Sequence, residues 1–378
     1  MPSIAPHLLP EGLRDRLPPE AEAAQWVTRA LLDAMRQHGY RRVAPPMAEF
    51  RETLAGDSDD PAAQDLLRFT DPVSRRTLAI RPDITRQVGR IATTQLANAS
   101  RPLRLSYAGQ VVKLAASALW PEREMLQVGA ELIGCDSVAA VRELLCVAVD
   151  ALTAAGLTDI IVDLTLPDLV ETLSRSALPL VPENVARVRA ALDAKDAGAL
   201  PALGAAAYLP LIAATGPFDE AIIRLEAIDA GGALTSRIAA LRSLTSAIGD
   251  TAQVTLDPTE RHGFEYQSWV GFSIFAKGQA VTIGRGGAYL VNHPDGSSET
   301  AVGFSLYPDS LISSGLGQAR DQSQTLFLPL GHDAGVARAM RKAGWITITA
   351  LDVADDAKVL GCSHMLSGDT AMAIGGPA

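Results

Sequence analysis

Residues Tyr107–Gly134 read YAGQVVKLAASALWPEREMLQVGAELIG, and the two halves of this stretch carry different chemistry. In Glu124–Ile133, Leu126, Val128, Ala130 and Leu132 alternate with Met125, Gln127, Gly129, Glu131 and Ile133, the two-residue period of a β-strand. The first set is a core face. The second puts an amide and a carboxylate on one side, with a glycine between them that predicts close approach of a ligand to the backbone. A solvated outer face is the plainer alternative for such a strand. A second element, RPDIT, with Arg81, Asp83 and Thr85, favours the ligand: two carboxylates and an amide supply the three acceptors an α-ammonium group needs.

Working outward, Leu103, Leu105 and Tyr107 alternate with Arg104, Ser106 and Ala108, which predicts a neighbouring strand joined through a loop holding Pro121. Asp136 or Ser137 is placed to cap a helix that runs to about Ala155 and stops at Gly156. Toward the N-terminus, Pro18-Pro19 opens a helix closing at Gly39, with Trp26, Ala30, Leu31, Ala34 and Met35 on one face. An Asp-rich loop around Gly56 to Pro61 precedes FTDPVSRRTLAIRPD, a hairpin with its turn near Pro72, and Ile84 to Ala97 has helical character. From about 166 to 250 the chain is Ala/Leu-rich and helical, an inserted subdomain. Strands return in VTLD, GFEYQSWVGFSIFA and AVTIGRGGAYLV. After Gln318 a small unit reads strand, helix, strand and second short helix. The class expected is α+β, an antiparallel sheet flanked by helices, with domains over 1–317 and 318–378.

The chain has 378 residues, 48% of them hydrophobic and 20% charged, with a net charge of −10. That balance argues against a general affinity for nucleic-acid backbones. Cys135, Cys146 and Cys362 show no paired spacing and read as reduced thiols of a cytoplasmic protein without a signal peptide. The uncharged run Ala197 to Phe218 is broken by Pro201, Gly204, Pro210 and Gly216, which predicts a helical hairpin rather than a membrane span. The six histidines are scattered and no HExxH occurs, so no metal is expected. GRGGAY (Gly284–Tyr289) lacks both GxGxxG spacing and a P-loop lysine; glycines in a tight strand with a ligand passing close are the better reading.

In order, PPMAEF (Pro45–Phe50), TLAIRPDIT, LRLSYAGQVVK, REMLQVGAELIG, GFEY (Gly263–Tyr266) and GRGGAY resemble the catalytic core of class II histidyl-tRNA synthetases over roughly residues 8 to 312. The resemblance implies a dimer formed through the first class II motif, at Pro46. The departures fall on cations. Where the second motif carries an arginine and an acid for ATP, this chain has Lys113, Leu114 and Ala115. Asp309 and Ser310 stand where the third motif carries an acid and an arginine, and GGRYD has become GGAYL (Gly286–Leu290). Lys113 keeps the charge but loses the planar fork, and the other two positions lose their cation, which weakens the positive charge aimed at a phosphate or carboxylate, the term that dominates adenylate chemistry.

A synthetase of this class continues into an anticodon-binding domain of about a hundred residues. Here about sixty follow Gln318. The pattern resembles the regulatory subunits of short-form ATP phosphoribosyltransferases. That resemblance implies no catalytic residues, no cofactor and no membrane or nucleic-acid partner. It implies a hetero-octamer, four of each chain, with the short catalytic subunit, and L-histidine as feedback effector. Asp83, Thr85, Gln127 and Glu131 would hold the ammonium, Arg261 (or His262) the carboxylate, and Glu265, Tyr266 and Tyr289 the imidazole. Lys113 stands in the synthetase arginine's place, and Gln267 where a second tyrosine is usual. A divergent active synthetase, or another amino-acid-binding paralogue, is the alternative.

Overall fold

The computed structural model describes residues 8–55, 66–116, 121–261, 267–279, 281–318 and 324–375. The Asp-rich loop at Gly56 to Pro61 and the residues His262, Glu265 and Tyr266 lie outside them. The chain divides into two compact units, Met1–Leu316 and Gly317–Ala378.

In the first unit, α1 (Glu20–Gln37) buries Ala23, Val27, Leu31, Ala34 and Met35 along one stripe, with Trp26 and Ala30 at its partly buried margin. Gly39 ends it in the left-handed region, φ +86°, where a side chain is disfavoured. Next come β1 (Arg41–Arg42), β2 (Ala48–Phe50), α2 (Arg51–Ala55), β3 (Arg68–Thr70) and β4 (Thr77–Ile80). Strands β2, β4 and β3 make a small antiparallel sheet. The β3–β4 turn is where expected, and the Asp71 carboxylate accepts from the Val73 and Ser74 amides.

Then follow α3 (Thr85–Thr93), β5 (Leu103–Val112), β6 (Glu124–Ile133), α4 (Val138–Ala154) and β7 (Ile160–Thr165). The Ser137 hydroxyl caps α4 by accepting from Ala140 N. The insertion holds α5 (Leu169–Ser174), α6 (Pro182–Asp193), α7 (Ala199–Ala202), α8 (Pro210–Ala213), β8 (Gly216–Pro217), α9 (Phe218–Ile228) and α10 (Thr235–Ile248). The run expected as a helical hairpin is instead a series of single turns, α7, a 3₁₀ turn at Ala206–Tyr208 and α8. Gly204 at φ +69° and Gly216 at φ +127° interrupt it, and the prolines remove helix donors. No helix among the described residues is long and apolar enough to cross a membrane. The unit closes with β9 (Gln253–Leu256), β10 (Gln267–Ala276), β11 (Gly284–Asn292), β12 (Ser298–Leu306) and α11 (Asp309–Ser313).

Nine strands form one sheet in the order β1-β5-β6-β12-β11-β10-β7-β9-β8, antiparallel from β5 through β7. On one side, Leu126, Val128, Ala130 and Leu132 of β6 join a core with α1, α4 and α10. On the other, Met125 and Ile133 join Ile84, Val88, Tyr107, Tyr289 and Val291. The expected alternation of β6 therefore holds, and α3 covers the face that a solvated strand would have exposed. Gln127 and Glu131 are both 0% exposed.

The second unit contains β13 (Thr325–Leu328), α12 (Ala334–Lys342), β14 (Ile346–Thr349), β15 (His364–Ser367) and β16 (Thr370–Ala373), in the order β14-β13-β15-β16. The second short helix expected here is absent among the described residues; turns lead instead into the β15–β16 hairpin. Asp355 accepts from the Leu351 and Asp352 amides, and Asp356 from the Lys358 and Val359 amides. Such side-chain acceptors compete with a helix for the same donors.

Candidate functional site

The antiparallel register sets Tyr107 of β5 opposite Gly129, and Gly303 of β12 opposite Glu131. Those pairings build the site. A Cβ on Gly129 would overlap the Tyr107 hydroxyl and the Phe304 carbonyl, and one on Gly303 would overlap the Glu131 carboxylate. The glycine expected to admit a ligand instead admits Tyr107. The GRGGAY glycines behave likewise: Phe272 fills the space over Gly286, and the Gln267 amide fills that over Gly287.

What results is a continuous polar network in the interior. Gln127 Oε1 accepts from Ile84 N at 2.9 Å, and Gln127 Nε2 donates to Asp83 Oδ2 and Ser305 Oγ, each at 2.8 Å. Asp83 Oδ1 accepts from Thr85 N at 2.7 Å, which fixes the start of α3. Tyr107 Oη lies 3.1 Å from Thr85 Oγ1 and 2.9 Å from Ser305 Oγ, and donates to Glu131 Oε1 at 3.0 Å. Tyr289 Oη donates to Glu131 Oε2 at 2.8 Å. Of the residues expected in the site, Asp83, Thr85, Gln127, Glu131 and Tyr289 are thus brought together.

The electrostatics follow from burial. Desolvation pushes the Glu131 carboxyl up to about 8; hydrogen bonds from Tyr289 and Tyr107 oppose this, and Asp83 adds to it. The Tyr107 phenol is driven well above its usual range by burial and by the carboxyls of Glu131 and Asp83. Lys113 lies near enough to Asp83 and Arg285 to feel both. Desolvation and Arg285 lower its pKa while Asp83 raises it, and its residue keeps solvent contact.

Arg261 is placed elsewhere. Its amide donates to Asp193 at 2.7 Å, and its guanidinium lies 3.3 Å from the Pro167 carbonyl and 3.8 Å from Glu171, all residues in or beside the insertion. It makes no hydrogen bond or ion pair with Asp83, Thr85, Gln127 or Glu131. Glu265, Tyr266 and His262 lie outside the described residues.

Sequence reasoning missed Tyr107, Ser305 and Arg285. Tyr107 reads as one more apolar position of β5, and Ser305 lies in β12, which the sequence marks only by the missing arginine that follows it at Ser310. The signal available was their glycine partners, legible once the register is known. At the third-motif position, Asp309 accepts from Leu126 N at 2.8 Å and pairs with Arg16, while the Ser310 hydroxyl is buried without a hydrogen-bond partner. Asp309 thereby ties the N-terminal segment to β6.

The histidyl-tRNA synthetase family model matches residues 12–311. A Paramagnetospirillum magneticum protein described as an ATP phosphoribosyltransferase regulatory subunit is 40% identical over 372 residues, 96% of this chain and 96% of its own. A Bacillus halodurans structure described as an ATP phosphoribosyltransferase regulatory subunit/histidyl-tRNA synthetase aligns with a TM-score of 0.79 at 22% identity, over 96% of this chain and 97% of that one. A chain of an ATP phosphoribosyl transferase complex from Thermotoga maritima aligns with a TM-score of 0.58 at 19% identity, over 77% of this chain and 98% of that one. This chain belongs to the ATP phosphoribosyltransferase regulatory subunits, which share the histidyl-tRNA synthetase fold.

Proposed function

We propose that this chain assembles with a short-form ATP phosphoribosyltransferase catalytic subunit, supports its activity, and makes it sensitive to L-histidine. The chain is a non-catalytic regulatory subunit of that enzyme in histidine biosynthesis. The reading extends to a cytoplasmic hetero-octamer, four of each chain, with regulatory chains paired through the class II-type interface near Pro46.

One observation carries the sensor role. The Asp83–Gln127–Glu131 network is complete and ordered by Tyr107, Ser305 and Tyr289, while Lys113, Leu114, Ala115 and Ser310 leave the nucleotide positions without an arginine. Acceptors for an amino-acid ligand are kept; the fork that grips a phosphate is lost. Asp83, Thr85, Gln127 and Glu131 hold the ammonium, and Tyr289, with Glu265 and Tyr266, takes the imidazole. With Arg261 tied to the insertion, Lys113, which feels both Asp83 and Arg285, takes the carboxylate together with Arg285. Histidine inhibits by favouring one quaternary state, since equal affinity for both would shift nothing.

Calorimetric titration of the isolated chain with L-histidine tests the sensor. Saturable binding is expected, weakened at least about tenfold by Asp83→Ala, because a hydrogen bond to a charged group contributes about 1.5–3 kcal/mol. Equal affinity in the variant places the effector elsewhere.

A further inference from the structure

We infer that the site takes its ligand as a cation and, on binding it, releases to solvent the proton carried by the Glu131 carboxyl. This rests on the amino-acid-sensor reading above. Glu131 is fully buried, and among the described residues the groups facing it are Tyr107 from β5, Tyr289 from β11, Gly303 and Ser305 from β12, and Asp83 and Thr85 at the start of α3, with the Tyr40 phenol near enough to feel its charge. None of them is a cation. Among the described residues neither Glu131 nor Asp83 forms an ion pair. Arg81, on the same loop as Asp83, is aimed at the Gln110 and Pro45 carbonyls, at 2.8 and 2.9 Å. Lys113 lies near enough to Asp83 and to Arg285 to feel both.

An ionised carboxylate held in the interior without a counter-ion is strongly disfavoured. In the empty site Glu131 therefore keeps its proton at neutral pH, in line with a carboxyl pushed up to about 8 by burial. An incoming ammonium supplies the missing charge. The neutral Glu131 acid and the cationic ligand become a carboxylate paired with that cation, and the acid proton leaves to bulk water. No electron moves and the ligand keeps its own proton. The two tyrosine hydroxyls are already set as donors to both carboxylate oxygens, so the ionised form needs no rearrangement.

The test is calorimetry of L-histidine binding in phosphate and in Tris, whose ionisation heats differ, so that the difference in enthalpy counts protons. Between pH 7 and 8 the wild-type chain is expected to release close to one proton per site at pH 7, falling to about half at pH 8. The Glu131→Gln chain, whose ligand titrates identically, is expected to release that much less. Tyr289→Phe removes a donor that favours the carboxylate, and should shift the fall to higher pH. If Glu131→Gln no longer binds, the wild-type profile with Tyr289→Phe decides. Equal proton counts in wild type and Glu131→Gln, or a count near zero at pH 7, overturn the inference while leaving the sensor reading intact. A folded wild-type chain that binds no histidine overturns both. A purely structural role for Glu131 would lower affinity in Glu131→Gln without altering the proton count.

Discussion

Gly303→Ala isolates what the site asks of single residues. A methyl there would overlap the Glu131 carboxylate, which has no exposed path to retreat along. Overpacking of this kind costs about 1–3 kcal/mol, expected as a lower urea midpoint with an unchanged slope. The same carboxyl makes stability depend on pH. Its folded pKa, about 8, stands above its ordinary value of 4.5, so the empty native state binds more protons than the unfolded chain between the two. The contribution of Glu131 is full below about 4.5 and is lost as pH rises through about 8. Thermal scans of wild type against Glu131→Gln should diverge across that interval, with wild type losing more toward pH 8. Gln127, Glu131 and Asp83 were legible because alternation puts the first two on one face and RPDIT supplies the third. Tyr107 and Ser305 were not, because their role depends on a cross-strand register joining segments nearly two hundred residues apart. Arg261 was expected as a ligand group because it is a cation beside a signature motif; the sequence does not say that Asp193 and Glu171 will also meet it.

Among elements, β6 and α4 were legible almost to the residue, since each carries its own boundary chemistry: strict alternation in one, a serine cap and a terminal glycine in the other. Ser137→Ala should therefore cost about 1 kcal/mol, read as a lowered thermal midpoint. The hairpin expected near residues 197–218 and the second helix of the C-terminal unit failed for a common reason. Composition favoured helix in both, but prolines, positive-φ glycines and aspartate side chains gave the backbone other conformations and partners. The pair between Arg16 and Asp309 shows the third-motif acid serving packing: Asp309 is pushed up by burial and drawn back down by Arg16. Arg16→Ala leaves a buried acid with only the Leu126 amide, and is expected to lower stability by about 1–3 kcal/mol in urea melts.

For the whole molecule, the synthetase-like frame was legible in ordered motifs, and the loss of catalysis in the residues that interrupt them. The insertion follows the same direction. Between residues 166 and 250, seven Lys and Arg stand against ten Asp and Glu, a net of −3 that gives a nucleic-acid backbone little to bind. Histidine-dependent ATP–pyrophosphate exchange by this chain is expected to be absent. The central claim, that the chain is a regulator sensing through a retained amino-acid pocket, is tested most directly by reconstitution. A short-form catalytic subunit is mixed with the wild-type chain or with Asp83→Ala, and phosphoribosyl transfer is followed against rising L-histidine. The account predicts that both chains form the complex and raise activity, and that Asp83→Ala shifts the inhibition curve at least about tenfold to higher histidine. Failure of the wild-type chain to bind or activate the catalytic subunit, or superimposed inhibition curves for the two chains, would contradict it.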